Sequence, residues 1–462
     1  MSGPDADPAP LRPGVVWAVA SLALLMNTLD ASIVNVALPT IRRDLGASIS
    51  ELQWVVDAYT LALAALLLSA GTAGDRFGHR RAAAAGMAVF VAASAACGAA
   101  QGAGLLVAAR AAQGVGAALL MASTLSLLTV AFPDQRRRAQ AIGWWAVFSG
   151  VGFSAGPPVG GVLVTYLGWR SVFLVNVVPG LACLALLRTG VGETPRAHAH
   201  PIDWRGQALA CIGLGSAMFG IIEGPADGWT SSAVVSALAV AAVAAVAFVR
   251  TELVLPAPMV ELRLFDRSSV RSGALAALAY PFGFLGLLFV LNLYLQVAQG
   301  RTPLAVGALF LPMSTAVFAI GPLAGRITAR RGPRVPLAAG LALQATGALL
   351  LLGAGPATPY GELVPSFVLL GAGSSLAATP AIASVVGATP DRAGMGSGLV
   401  NALRQLGAAG GVAVLGSIAG PPGAAGFVGR LHVAALLAAA APALAAVAAL
   451  SVRRRQPVGA GR

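Results

Sequence analysis

Residues 71–81 read Gly-Thr-Ala-Gly-Asp-Arg-Phe-Gly-His-Arg-Arg, a polar joint between two long apolar stretches. Residues 321–332 read Gly-Pro-Leu-Ala-Gly-Arg-Ile-Thr-Ala-Arg-Arg-Gly, again between apolar stretches. A second joint also occurs twice, as Phe132-Pro-Asp-Gln-Arg136 and as Thr389-Pro-Asp-Arg392. Two pairs of matching joints at corresponding places mark two copies of one helical unit. Working outward, apolar stretches fall at 15–37, 52–73, 82–101, 104–130, 139–165, 171–188, 206–223, 232–249, 271–298, 304–325, 335–354, 362–388, 396–419 and 431–452. A bilayer core needs about 20 apolar residues per helix, so the expectation is an all-α polytopic membrane protein of fourteen spans.

Composition agrees. Of 462 residues, 57% are hydrophobic and 10% charged, and mean hydropathy is +0.81. A water-soluble domain of this length does not have that balance. The +13 net charge comes from arginine alone, since the chain has no lysine. Its clusters include Arg76/Arg80/Arg81, Arg136/Arg137/Arg138, Arg326/Arg330/Arg331/Arg334 and Arg453/Arg454/Arg455, all at alternate joints or the tail. That alternation predicts both termini on the cytoplasmic side and argues against nucleic acid as partner. Without lysine there is neither a Walker A loop nor a lysine Schiff base. Cys97, Cys183 and Cys211 lie in apolar stretches and read as packing residues, with no metal site.

Polar segments at 189–205 and 250–270 interrupt the rhythm. They divide the chain into an N-terminal six-helix bundle (1–188), linkers with two inserted helices (189–270), and a C-terminal six-helix bundle with its tail (271–462). Paired six-helix repeats around a midplane site are a secondary-transporter architecture.

Ionisable residues inside spans are costly and are functional candidates. The first six spans hold Asp30, Asp57 and Arg110. At 1.5 Å per residue they lie roughly 12, 8 and 9 Å from the same membrane face. A carboxylate that can approach an arginine is either paired and ionised or protonated and released, which is what proton coupling requires. A structural ion pair is the competing reading. Arg404 is the charge inside the second six, beside Asn401; contact with substrate and ordering of its helix stand as equal readings. Asn27, Tyr59, Gln113, Trp145, Asn292 and Gln296 are further candidates for lining a central cavity, with ordinary packing as the alternative.

Glycines recur every four residues at Gly152, Gly156 and Gly160, giving one flat helix face, and Pro157 and Pro158 favour a bend. The run Gly152-Phe-Ser-Ala-Gly156 also fits the Gly-x-Ser-x-Gly hydrolase elbow. That elbow needs a preceding strand, an exposed serine and a histidine partner, none of which an apolar span provides. A membrane-embedded enzyme is therefore disfavoured.

These motifs resemble the major facilitator superfamily, and within it the fourteen-helix drug:proton antiporters. Leu29-Asp30-Ala-Ser-Ile-Val-Asn35-Val-Ala-Leu-Pro39 resembles that subfamily's first-helix motif, and Gly71 to Arg81 the superfamily's joint motif. Arg110-Ala-Ala-Gln113-Gly114-Val-Gly116 resembles the fourth-helix arginine motif, and Gly152 to Gly161 the antiporter motif. Trp169 to Gly180 is similar to a further stretch of the subfamily. His79 stands where an arginine is usual, and Gly74 where a small alanine is. The resemblance implies a monomeric efflux antiporter of a bacterial cytoplasmic membrane. It implies exchange of a proton for a small amphipathic organic compound, with the lipid bilayer as surroundings and no cofactor. It also implies a gating role for Gly71, Asp75, Arg76, Gly78 and Arg80, and a leak-limiting seam at Gly152, Gly156, Pro157, Gly160 and Gly161.

Overall fold

The computed structural model describes residues 12–193, 203–255, 258, 260–388, 393–421 and 426–451. The polar linker around Ala197, the joint at Pro390 and Asp391, and the arginine tail lie outside the described residues. The first half runs α1 (Pro13–Leu45), α2 (Ile49–Phe77), α3 (His79–Gly98), α4 (Ala103–Ala131), α5 (Gln135–Leu167), α6 (Ser171–Leu174) and α7 (Val177–Gly190). The insert is α8 (Trp204–Asp227) and α9 (Ser232–Val254). The second half runs α10 (Ser268–Leu293), α11 (Pro303–Leu309), α12 (Leu311–Arg331), α13 (Arg334–Leu350), α14 (Tyr360–Val386), α15 (Ala393–Ala419) and α16 (Phe427–Ser451). Among the described residues no strand occurs.

Twelve helices of the described residues are long and apolar enough to cross a membrane. They become thirteen if Ile49–Leu67 and Ser69–Phe77, bent by 56°, form one span. The 33-residue α5 occupies the place of the remaining expected span. At 33 residues it is long enough to cross a bilayer core. Its internal Pro157 and Pro158 do not interrupt it; α5 is one continuous helix.

Two expected spans are broken. Residues 171–188 divide into α6 and α7 because Pro179 has no N–H to donate and its ring crowds the carbonyl one turn back. Residues 304–325 divide at Phe310, where Pro312 starts α12. Turns are built locally: Ser48 and Glu51 form a capping box at the start of α2, and Gly78 takes a positive φ of 96° between α2 and α3.

The two halves share their apolar core at one end only. One buried cluster joins Ile33, Leu38, Val55 and Phe173 of the first half to Phe284, Leu287, Phe310 and Leu415 of the second. All lie toward the end opposite the arginine-rich joints. At the arginine-rich end the buried residues form separate clusters, one around Met87, Leu120 and Leu127, another around Tyr280, Leu337 and Ala381. The halves are therefore packed together at one end and part toward the other.

Candidate functional site

Asp30 lies in the middle of α1 with a relative exposure of 1%. Its carboxylate meets Arg110 of α4, whose exposure is 0%, at 2.5 Å. Gln113, one turn beyond Arg110, donates to Asp30 Oδ1 at 2.8 Å. Asn176, at the α6–α7 break, donates to the same oxygen at 2.8 Å. The break made by Pro179 thus brings an amide to the acid.

Arg110 is held from several sides. Its Nε donates to the Val55 carbonyl at 2.9 Å, and NH1 donates to Gln113 Oε1 at 2.8 Å. The guanidinium lies over the Tyr59 ring, 4.4 Å from its centroid, and 5.8 Å from that of Phe173. Tyr59 in turn donates its hydroxyl to Asn27 Oδ1, and Gln113 donates to Ser94 at 2.8 Å. Five helical segments thus converge on one charge pair. Buried charges persist where they are paired and hydrogen-bonded, and this pair is held so except at the second terminal nitrogen of Arg110, which has no hydrogen-bond partner.

Asp57 does not join this network. It is fully buried, and neither carboxylate oxygen has a hydrogen-bond partner. Similar depth brought the expectation that all three charged groups share a layer; the helix face separates them. Asp57 is three residues from Trp54 and four from Leu61, so it shares their face. That face packs on Met218 and Ile222 of α8 and on Ala409 and Ala413 of α15.

The residues expected to line a cavity divide in two. Asn27, Tyr59 and Gln113 are buried within the Asp30–Arg110 network. Asn292 is also buried and accepts from Gln296, which donates to the Val36 carbonyl of the first half at 2.8 Å. These two fasten the closed end. Trp145 packs against the first half's own core. Asn401 and Arg404 are half-buried and bonded to each other at 3.1 Å.

The closed end has further fastenings. Gln53 of α2 donates to the carbonyls of Val412 and Ala413 at 3.1 and 2.9 Å. Ser154 of α5 donates to the Ser314 carbonyl at 3.1 Å. Gly161 and Gly307 let α5 and α11 touch backbone to backbone.

The glycine stripe acts as its spacing predicts. A Cβ at Gly152 would strike Thr28 and Leu25 of α1, one at Gly156 would strike Ser32, and one at Gly160 would crowd Ile33. Thr28 and Ser32 turn their hydroxyls back to the carbonyls of Leu24 and Thr28, so no polar group is stranded at this contact.

At the joint 71–81, Asp75 pairs with His79 at 3.0 Å, and Arg76 sits 5.5 Å from the Phe77 ring. Gly71 has open space around it; the close approach belongs to Gly74, against His79. Glu193, past the end of α7, accepts from the Arg80 backbone N–H at 3.2 Å and pairs with Arg81 at 3.3 Å. Glu193 therefore ties the sixth span to this joint. Glu193 lies in the polar segment 189–205, and no local pattern distinguishes it.

Nor did the sequence reveal the role of α8. Trp54 of α2 donates to Glu223 at 2.9 Å, Gln207 donates to the Ala65 carbonyl at 2.8 Å, and Ser69 donates to Gln207. Ser417 of α15 donates to the Ile221 carbonyl at 3.0 Å. The helix α8 thus covers the α2–α15 seam, while α9 packs mainly on α8.

The family model described as the Major Facilitator Superfamily matches residues 20–412. The chain belongs to this superfamily. It is a multi-pass membrane transporter and not an enzyme. It is 39% identical to the Multidrug resistance protein Stp of Mycobacterium tuberculosis, over 86% of this chain and 74% of that one. It is 34% identical to the Methylenomycin A resistance protein of Streptomyces coelicolor, over 88% and 85% of the two chains. It is also 34% identical to the Tetracenomycin C resistance and export protein of Streptomyces glaucescens, over 88% and 76%. A solved structure from work on proton dependent oligopeptide transporters superposes with a TM-score of 0.65, covering 95% of this chain and 98% of that one at 14% identity. That likeness concerns the fold alone.

Proposed function

We propose that this transporter exports amphipathic organic compounds across a bacterial cytoplasmic membrane in exchange for protons. The observation that carries the reading is the buried Asp30–Arg110 pair, set in a bundle whose halves close at one end only. The names of the relatives, which speak of multidrug resistance and of antibiotic resistance and export, support efflux.

In this reading the arginine-rich end and both termini face the cytoplasm, in keeping with the positive-inside rule. The arrangement described is then open inward. The two six-helix bundles rock about a central site as a monomer, and the insert rides beside them. Ionised Asp30 is held by Arg110, Gln113 and Asn176. A proton arriving from outside removes the charge that Arg110 balances and weakens the ties between α1, α4 and α7. Asp57, at the seam between halves, is a second candidate for protonation. Gly71, Asp75, Arg76, Gly78 and Arg80 serve gating, and the glycine stripe of α5 limits leak.

The test uses inside-out vesicles with an imposed pH gradient and a substrate panel. Asp30→Asn fixes a neutral side chain, so gradient-driven uptake should vanish while gradient-free exchange persists. Uphill transport by Asp30→Asn at the wild-type rate would sink the assignment. A second reading, a dedicated exporter of one metabolite, draws on the relatives named for single antibiotics. Movement of a single panel member would favour it.

A further inference from the structure

The two halves balance their charges differently. In the first, Asp30 and Arg110 neutralise each other. In the second, Arg404 lies within α15 and no carboxylate pairs with it among the described residues. The helices α10–α16 carry one acidic residue, Glu362, in the first turn of α14. That turn is at the closed end, whereas Arg404 is 15 residues before the end of α15, about 22 Å along its axis. Glu362 is out of reach.

Arg404 is also directed between the halves. Arg404, Ala408, Val412 and Leu415 follow at steps of four, four and three, so they share one face of α15. Ala408, Val412 and Leu415 are buried, and the last two belong to the core that joins both halves. Arg404 continues this face toward the arginine-rich end, where that shared core has given way to separate clusters. Its neighbours there are polar or aromatic. NH1 donates to Asn401 at 3.1 Å, the guanidinium is 5.9 Å from the Tyr280 ring centroid, and Nε is buried without a hydrogen-bond partner.

A cation with a spare donor, set on an apolar face and lacking an acid among the described residues, is matched by an anion that arrives from outside the chain. We infer that Arg404 binds the anionic group of the transported compound, so the substrates are amphipathic anions with an apolar or aromatic body. This inference rests on the efflux reading. The guanidinium offers two parallel donors to a carboxylate or sulfonate, and Tyr280 flanks the site with an aromatic face.

The experiment compares one scaffold in three charge forms: naphthalene-2-sulfonate, the neutral naphthalene-2-sulfonamide, and the permanently cationic naphthylmethyl-trimethylammonium. Binding is measured on the full-length protein in lipid nanodiscs without any gradient. The sulfonate should bind at least about tenfold more tightly than the cation, the expected scale for a charge-assisted hydrogen bond. Arg404→Gln should erase that preference without weakening the sulfonamide, and Arg404→Lys should keep part of it. Thermal melting of each variant reports its folding, and Arg404→Lys carries the test if Arg404→Gln does not fold.

Tighter binding of the cation, unchanged sulfonate binding in Arg404→Gln, or no binding of any form would overturn the inference. Sulfonate binding that depends on Arg404, with no export under a pH gradient in vesicles, would leave the site standing and count against the efflux reading instead.

Discussion

The first half of this transporter closes its charge within itself, while the second leaves a cation with no carboxylate partner among the described residues. Asp30 and Arg110 are both fully enclosed, and between them use Gln113, Asn176, the Val55 carbonyl and the Tyr59 ring. Arg404 is half-buried and has no carboxylate partner among the described residues. The two halves have matching joints and the same number of spans, so their duplication preserved the scaffold and not the chemistry. On the readings proposed above, one half holds and releases a proton and the other meets a ligand.

The largest expected effect tests that contrast directly. Arg110→Ala leaves Asp30 buried without its cation, so it should destabilise the protein by about 3–5 kcal/mol and abolish coupled transport. Arg404→Ala strands no acid and should cost about 1 kcal/mol or less. Thermal or denaturant unfolding in detergent measures both. Equal losses would break the comparison.

Next in size is the α1–α5 contact that holds the first half's acid in place. Gly156→Val forces a side chain onto Ser32 and should cost about 1–3 kcal/mol by overpacking, read as a lowered melting midpoint. A third substitution concerns the insert. Glu223→Gln weakens the bond from Trp54 and should cost on the order of 0.5–1.5 kcal/mol. If α8 travels with the first half, a crosslink between α8 and α2 should leave transport intact, and one between α8 and α15 should stop it. The smallest effect belongs to Gly71→Ala, which meets open space and should change stability by less than about 0.5 kcal/mol.

The fold was legible because hydrophobic length and the arginine alternation are local signals. So was the glycine stripe, since a spacing of four already defines a helix face. The pairing of Asp30 with Arg110 followed from shared depth and the scarcity of charge. Depth failed for Asp57, because it says nothing of azimuth, and the face bearing Trp54 and Leu61 turns that acid away from Arg110. Asn176 was visible as part of a motif, yet its bond to Asp30 depends on where a broken helix resumes. Gln296 and Asn292 had the polarity expected of a cavity, but the meeting of two halves placed them in a fastening. Glu193 and Glu223 act through contacts with distant segments, which no local pattern encodes.

The position of α8 has a consequence for traffic within the bilayer. The halves meet along two seams, α2 against α15 and α5 against α11 and α12. Bonds from Gln207 at one end of α8 to Glu223 near the other fasten this helix over the first seam along most of its height. No inserted helix is observed packed over the second seam. On the proposed efflux reading, a compound dissolved in lipid is expected to meet a shuttered side and an unshuttered one, with sideways entry on the α5 flank.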